Sequence, residues 1–124
     1  MNHKQVREHI KQELEDAFRS RKEGNRGRAR VCARRAAGLA ARTYLENRTG
    51  EPSRLNAYRA LLFLKDSGAP LPPAADLAVE RLTMRVNEDH QLPQEIDLIG
   101  EAQTLIAHLL DDPPDAAEPG TERP

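Results

Sequence analysis

Tryptophan is absent from this chain of 124 residues, which holds only two phenylalanines and two tyrosines. Aliphatic helix packing therefore has to supply most of the stability. Cys32 is the only cysteine, which excludes an intramolecular disulfide and any zinc site built on cysteine pairs. Its place among alanines predicts a buried, inert thiol despite the arginines nearby. Apolar runs of signal-peptide or membrane-spanning length are missing too, and the stretch from Met1 to Glu15 is polar and charged, so the expectation is a cytosolic protein with no membrane partner. The glycines of Gly24-Asn25-Arg26-Gly27-Arg28 are not followed by Gly-Lys-Ser or Gly-Lys-Thr. They read as a turn before a helix rather than a phosphate loop. His3, His9 and His108 lack partners at ligand spacing, so neither a metal nor another cofactor is expected. Asp111 and Asp112 are paired carboxylates, but they stand where the chain has little to bury and catalysis needs rigid placement.

What the chain does have is helical periodicity. Ala29, Ala33, Ala36, Ala40 and Tyr44 recur at steps of three and four, and Asn25 stands where it can cap the first amides. This predicts a helix from Arg26 to Arg48. Its face of alanine, Cys32 and Gly38 lets neighbouring helices approach closely, which places it in the middle of a bundle. Val6, Ile10, Leu14 and Phe18 predict an amphipathic helix from Asn2 to Lys22, ended by Gly24. Ser53 is the expected cap of a third helix from Arg54 to Asp66, whose Leu55, Tyr58, Leu61, Leu62 and Phe63 suggest burial on two sides. After the stiff stretch from Gly68 to Pro73, a fourth helix is expected from Ala74 to Val86, and a fifth from Asp97, a cap, to Leu110. The class is all-α, an antiparallel bundle of four to five helices in one domain spanning residues 1–110. Residues 111–124 form an acidic, proline-rich tail expected to be disordered.

The formal net charge of −1 hides a segregation. From Arg19 to Arg48 ten basic residues face only Glu23 and Glu46, a local +8, whereas from Glu88 to Pro124 ten acids face only Arg123, a local −9. Such halves attract each other or a second copy. The arginines suit either of two roles, a solvated face paired with acids elsewhere in the fold or a surface for nucleic-acid phosphates, with Arg26, Arg28 and Arg30 as candidate contacts.

The run Gly24 to Leu45, the linker to a short apolar helix, the segment Thr83 to Pro93 and the segment Asp97 to Leu110 together resemble the HEPN domain (higher eukaryotes and prokaryotes nucleotide-binding). The resemblance covers about Leu14 to Leu110 and implies an up-and-down helical topology. RNA-cleaving members carry an arginine followed after four to six residues by a histidine, and here Arg85 and His90 enclose Val86, Asn87, Glu88 and Asp89. Histidine titrates near neutrality and arginine is a fixed cationic fork, so His90 suits the proton transfers of RNA cleavage and Arg85 the charge growing on phosphorus. Asn87 is a further candidate contact. Active relatives often place Asn, Asp or His directly after the arginine, where this chain has Val86.

Three functions follow as expectations. The first is a non-enzymatic HEPN-like module that forms a homodimer and serves as an interaction or regulatory subunit, with a nucleotidyltransferase as the kind of protein partner the resemblance implies. The second is a metal-independent endoribonuclease of toxin type using Arg85 and His90. The third is an arginine-faced nucleic-acid binder without catalysis.

Overall fold

The computed structural model describes residues 3–68, 70–84 and 97–110. Arg85, Asn87 and His90 and the tail 111–124 lie outside the described residues, and the fourth helix, expected to reach Val86, ends at Thr83, with Met84 extended. The described chain forms five helices: α1 (His3–Lys22), α2 (Arg26–Thr49), α3 (Ala57–Asp66), α4 (Pro73–Thr83) and α5 (Leu98–Leu110).

Helix α2 is the inner rod. Ala29, Cys32, Ala33, Ala36, Ala37, Ala40 and Ala41 are buried on it, and α1, α3 and α5 all pack against it. Asn25 starts it by accepting the Arg28 amide at 3.1 Å, and Gly50 ends it in the left-handed region at φ 78°, its amide donating to the Glu46 carbonyl at 2.7 Å. A residue with a Cβ is strained at that φ, so glycine fits the stop. The small side chains have a direct structural consequence at Gly38. A Cβ built there would lie 2.4 Å from both the Cβ and the carbonyl oxygen of Ala57, so the first turn of α3 rests on bare α2 backbone.

Helix α1 turns back through residues 23–25 and packs antiparallel to α2. Arg7 Nη2 donates to the Leu110 carbonyl at 2.9 Å, while Arg21 Nη1 lies 3.3 Å from Asp97 Oδ1. These contacts set the start of α1 beside the end of α5 and the end of α1 beside the start of α5. On the inward side of α1, Val6 and Ile10 are buried as expected, and Phe18 is the residue that departs from the expected stripe. Ala17 is fully buried and Ser20 nearly so, whereas Phe18 is 40% exposed. The small residue sits against the alanine face of α2, and the ring is displaced to the rim with the Arg21 guanidinium 5.2 Å from its centroid.

The third helix begins later than the sequence suggests. Residues 52–56 are not helical; the Ser53 amide donates to Glu46 Oε2 at 2.7 Å, and the Ser53 hydroxyl accepts from the Leu55 amide. Asn56, not Ser53, caps α3, accepting the Arg59 amide at 2.8 Å. Ala60, Leu61 and Leu64 of α3 are buried and the helix packs on both α2 and α4, but Phe63 is 53% exposed. Pro73 opens α4 at a position that needs no amide donor. Arg81 Nη1 donates to Glu101 Oε2 at 2.5 Å, linking α4 to α5. As expected, Asp97 caps α5, accepting from the Ile99 amide at 3.1 Å.

Cys32 is fully buried, and loss of solvation pushes its thiol up from the ordinary value, with Glu13 and Asp16 adding to the rise and Arg28 and Arg35 opposing it. The native fold therefore holds this proton more tightly than the unfolded chain. Its contribution to stability is present below the ordinary thiol pKa and is lost as pH rises through the raised value. A thiol-specific reagent at pH 8 is expected to leave Cys32 unmodified in the native protein and to react within minutes once denaturant is added. Equal rates in the two states would contradict the burial.

Among the described residues no group of three His, Cys, Asp or Glu side chains is placed to hold a metal ion, and no described helix is long and apolar enough to cross a membrane. His9 lies 3.7 Å from Glu13 on the outside of α1, and His108 is exposed on α5.

Candidate nucleic-acid interface

The arginines of α2 divide into one that is structural and several that remain available. Arg34 is the structural one. Its Nε donates to the Leu82 carbonyl at 2.9 Å and its Nη2 to the Met84 carbonyl at 3.1 Å. From α3, the Tyr58 hydroxyl donates to the Thr83 carbonyl at 3.1 Å. The last carbonyls of a helix have no partner within it; here α2 and α3 supply donors to three successive ones. Burial draws Arg34 below the usual guanidinium pKa, with Arg30 adding to the shift and Tyr58 opposing it. It remains a cation, because even a lowered guanidinium holds its proton near neutrality.

The acids of α5 do not neutralise the rest of the arginine face. Asp97 pairs with Arg21 of α1 and Glu101 with Arg81 of α4. Arg48 lies over the Tyr44 ring, 5.4 Å from its centroid, and donates to the Tyr44 hydroxyl. Arg26, Arg28, Arg30, Arg35 and Arg42 have no side-chain ion pair with an acid among the described residues.

The three arginines singled out from sequence are not on one face. Arg26 and Arg30 are one turn apart on the side that leads to Arg34. Arg28 points about 160° away from Arg30, at 100° per residue. Arg28 instead heads a line with Arg35 and Arg42. Steps of seven residues bring each back to nearly the same side of the helix, about 10.5 Å further along the axis. Arg28 and Arg35 are exposed, Arg42 is half-buried, and Val31 between them is 44% exposed. Arg35 and Arg42 share this line with Arg28 through their seven-residue spacing in the sequence.

Arg26 and Arg30 mark a second feature. The connection 85–96, which carries Arg85, Asn87 and His90, starts after Met84 and ends before Asp97. Met84 is held by Arg34, one helical turn from Arg30, and Asp97 by Arg21 at the end of α1, just before the turn into α2. Met84 is thus held at Arg34, within the first half of α2, and Asp97 at Arg21, near the end of α1. The chemistry such a surface supports is phosphate binding: guanidinium groups without internal acids, spaced along a rigid rod.

Compared with known proteins, the chain matches no family model, no curated protein and no solved structure.

Proposed function

We infer that the chain is a HEPN-like helical module that works by binding rather than by cutting, and that RNA phosphates lie along Arg28, Arg35 and Arg42. The observation that carries this reading is the absence of acid partners for these arginines among the described residues, while the acids of α5 pair with α1 and α4 instead. Three guanidinium groups along about 21 Å of rigid helix match a run of backbone phosphates and carry no base-reading geometry, so the binding is electrostatic and weakly selective for sequence.

The second reading is a metal-independent endoribonuclease using Arg85 and His90. Its support is the Arg85 and His90 pair in the 85–96 connection, whose flanking residues Met84 and Asp97 are held by Arg34 and Arg21. The two readings part on one assay. Full-length protein is incubated with single-stranded RNA in excess chelator, following retention and chain length together. Binding without shortening, lost in the combined Arg28→Gln, Arg35→Gln and Arg42→Gln variant, is the expected result. Shortening that persists in chelator and disappears in His90→Ala overturns the first reading in favour of the second.

A further inference from the structure

The seat of α3 on α2 decides which side chains share one surface. Gly38 lies under Ala57, and Arg34, one turn before Gly38, reaches the end of α4. At about 100° per residue, Arg34 is turned about 40° from Gly38, whereas Arg42, Arg35 and Arg28 are turned about 40°, 60° and 80° the opposite way. The arginine line therefore runs along the flank of α3 that faces away from α4. The same arithmetic applies on α3 with Ala57 as reference. Tyr58, whose hydroxyl reaches the Thr83 carbonyl of α4, is turned about 100° to one side, and Phe63 about 120° to the other. Phe63 and the arginine line thus border one seam between α2 and α3.

Their heights along the bundle agree as well. Val31, Gly38 and Leu45 recur at steps of seven on one line of α2. Val31 is 44% exposed, Gly38 is covered by Ala57, and Leu45 packs against the core. The cover begins at Gly38 and continues toward the end of α2, so α3 runs in the same direction as α2. Phe63 is about 9 Å beyond Ala57 along its helix and Arg42 about 6 Å beyond Gly38 along the other. The ring stands close to the level of Arg42, and Arg59 precedes it by one turn on α3.

The two banks of the arginine line differ in charge. On the α1 side lies Cys32, whose thiol is acted on by Glu13 and Asp16, so that bank is acidic. On the α3 side stand Phe63, 53% exposed, and Arg59, exposed and without an acid partner among the described residues. A polyanion on the arginines is repelled by the first bank and attracted to the second. Packing does not account for the ring, because Ala60, Leu61 and Leu64 fill the buried side of α3.

We propose that Phe63 is a stacking platform for a base of single-stranded RNA, with Arg42 and Arg59 holding the phosphates beside it. This rests on the phosphate-binding reading of Arg28, Arg35 and Arg42 and adds the class of strand. An aromatic face beside guanidinium groups takes any unpaired base, since every base has a π-face. Bases of a duplex are already stacked on one another, so the ring favours the single strand.

The test compares full-length parent and Phe63→Ala on oligoadenylate, on duplex RNA of the same length and on an abasic sugar-phosphate oligomer. Phe63→Ala is expected to weaken oligoadenylate binding about tenfold. Affinity for the duplex and the abasic oligomer should not change, nor should the salt slope, because no phosphate contact is removed. The chain has no tryptophan, so Phe63→Trp supplies a single emitter that oligoadenylate is expected to quench and the abasic oligomer is not. Equal oligoadenylate affinity of parent and Phe63→Ala, with binding still lost in the combined arginine variant, overturns the stacking proposal and leaves the phosphate reading standing. An equal loss on the abasic oligomer also overturns it, since the ring would then act through the fold. A parent that binds none of the three overturns both.

Discussion

Gly38→Leu is expected to unseat α3, lowering stability by about 3 kcal/mol or more, with a correspondingly lower urea midpoint. Gly38→Ala is the sharper comparison because two effects oppose each other. In a helix interior, alanine is favoured over glycine by about 1 kcal/mol. The added methyl, however, would stand 2.4 Å from the Ala57 carbonyl oxygen, and both partners are backbone-bound groups that cannot rotate away. Overpacking of this kind typically costs about 1–3 kcal/mol, so the net effect is destabilising. A Gly38→Ala protein as stable as the parent would mean that α3 does not lie on this part of α2.

Arg34→Met is the second large effect. Methionine keeps much of the apolar stem but removes the donors to Leu82 and Met84, leaving both carbonyls unpaired in a half-buried place. The loss is expected to be about 2–4 kcal/mol, a melting temperature lower by roughly 10 °C or more. Arg34→Lys recovers only part of it, since one ammonium cannot reproduce the fork that reaches two carbonyls. Because Met84 is the last described residue before the 85–96 connection, hydrogen exchange at Leu82 and Thr83 should also accelerate in Arg34→Met. Arg35→Met, by contrast, removes an exposed side chain and is expected to change stability by less than about 0.5 kcal/mol.

The difference between these neighbouring arginines shows where sequence reading stops. Alanine recurrence identifies α2 and its buried side, because only a helix brings residues three and four apart onto one face. Asn25 and Asp97 are legible as caps because each precedes an apolar-periodic run. Nothing local distinguishes Arg34 from Arg35: Arg34 is structural because α4 ends beside it, and its partners are 48 and 50 residues away in sequence. The Arg21 to Asp97 pair, 76 residues apart, is equally invisible to periodicity. Ala17 stands seven residues after Ile10 and so within the buried stripe of α1, whereas Phe18 is turned about 80° from Ile10 to its edge, and α2 packs against the smaller residue. Ser53 and Asn56 are both good caps; the contact of Ser53 with Glu46 holds it in the linker and leaves Asn56 to start α3. The all-helical class follows from the sequence pattern, while the HEPN resemblance stays a proposal that the helical fold alone does not decide. Among the candidate contacts, Arg26 and Arg30 share a side and Arg28 does not.

The salt dependence of RNA binding tests the central claim most directly, that Arg28, Arg35 and Arg42 of α2 take phosphates. With single-stranded RNA, the logarithm of the binding constant is expected to fall linearly with the logarithm of salt concentration. For the combined Arg28→Gln, Arg35→Gln and Arg42→Gln protein the slope should be shallower by about 2, near 0.7 for each phosphate contact removed. An unchanged slope in a variant that remains folded, or a parent protein that does not bind RNA at low salt, contradicts the claim.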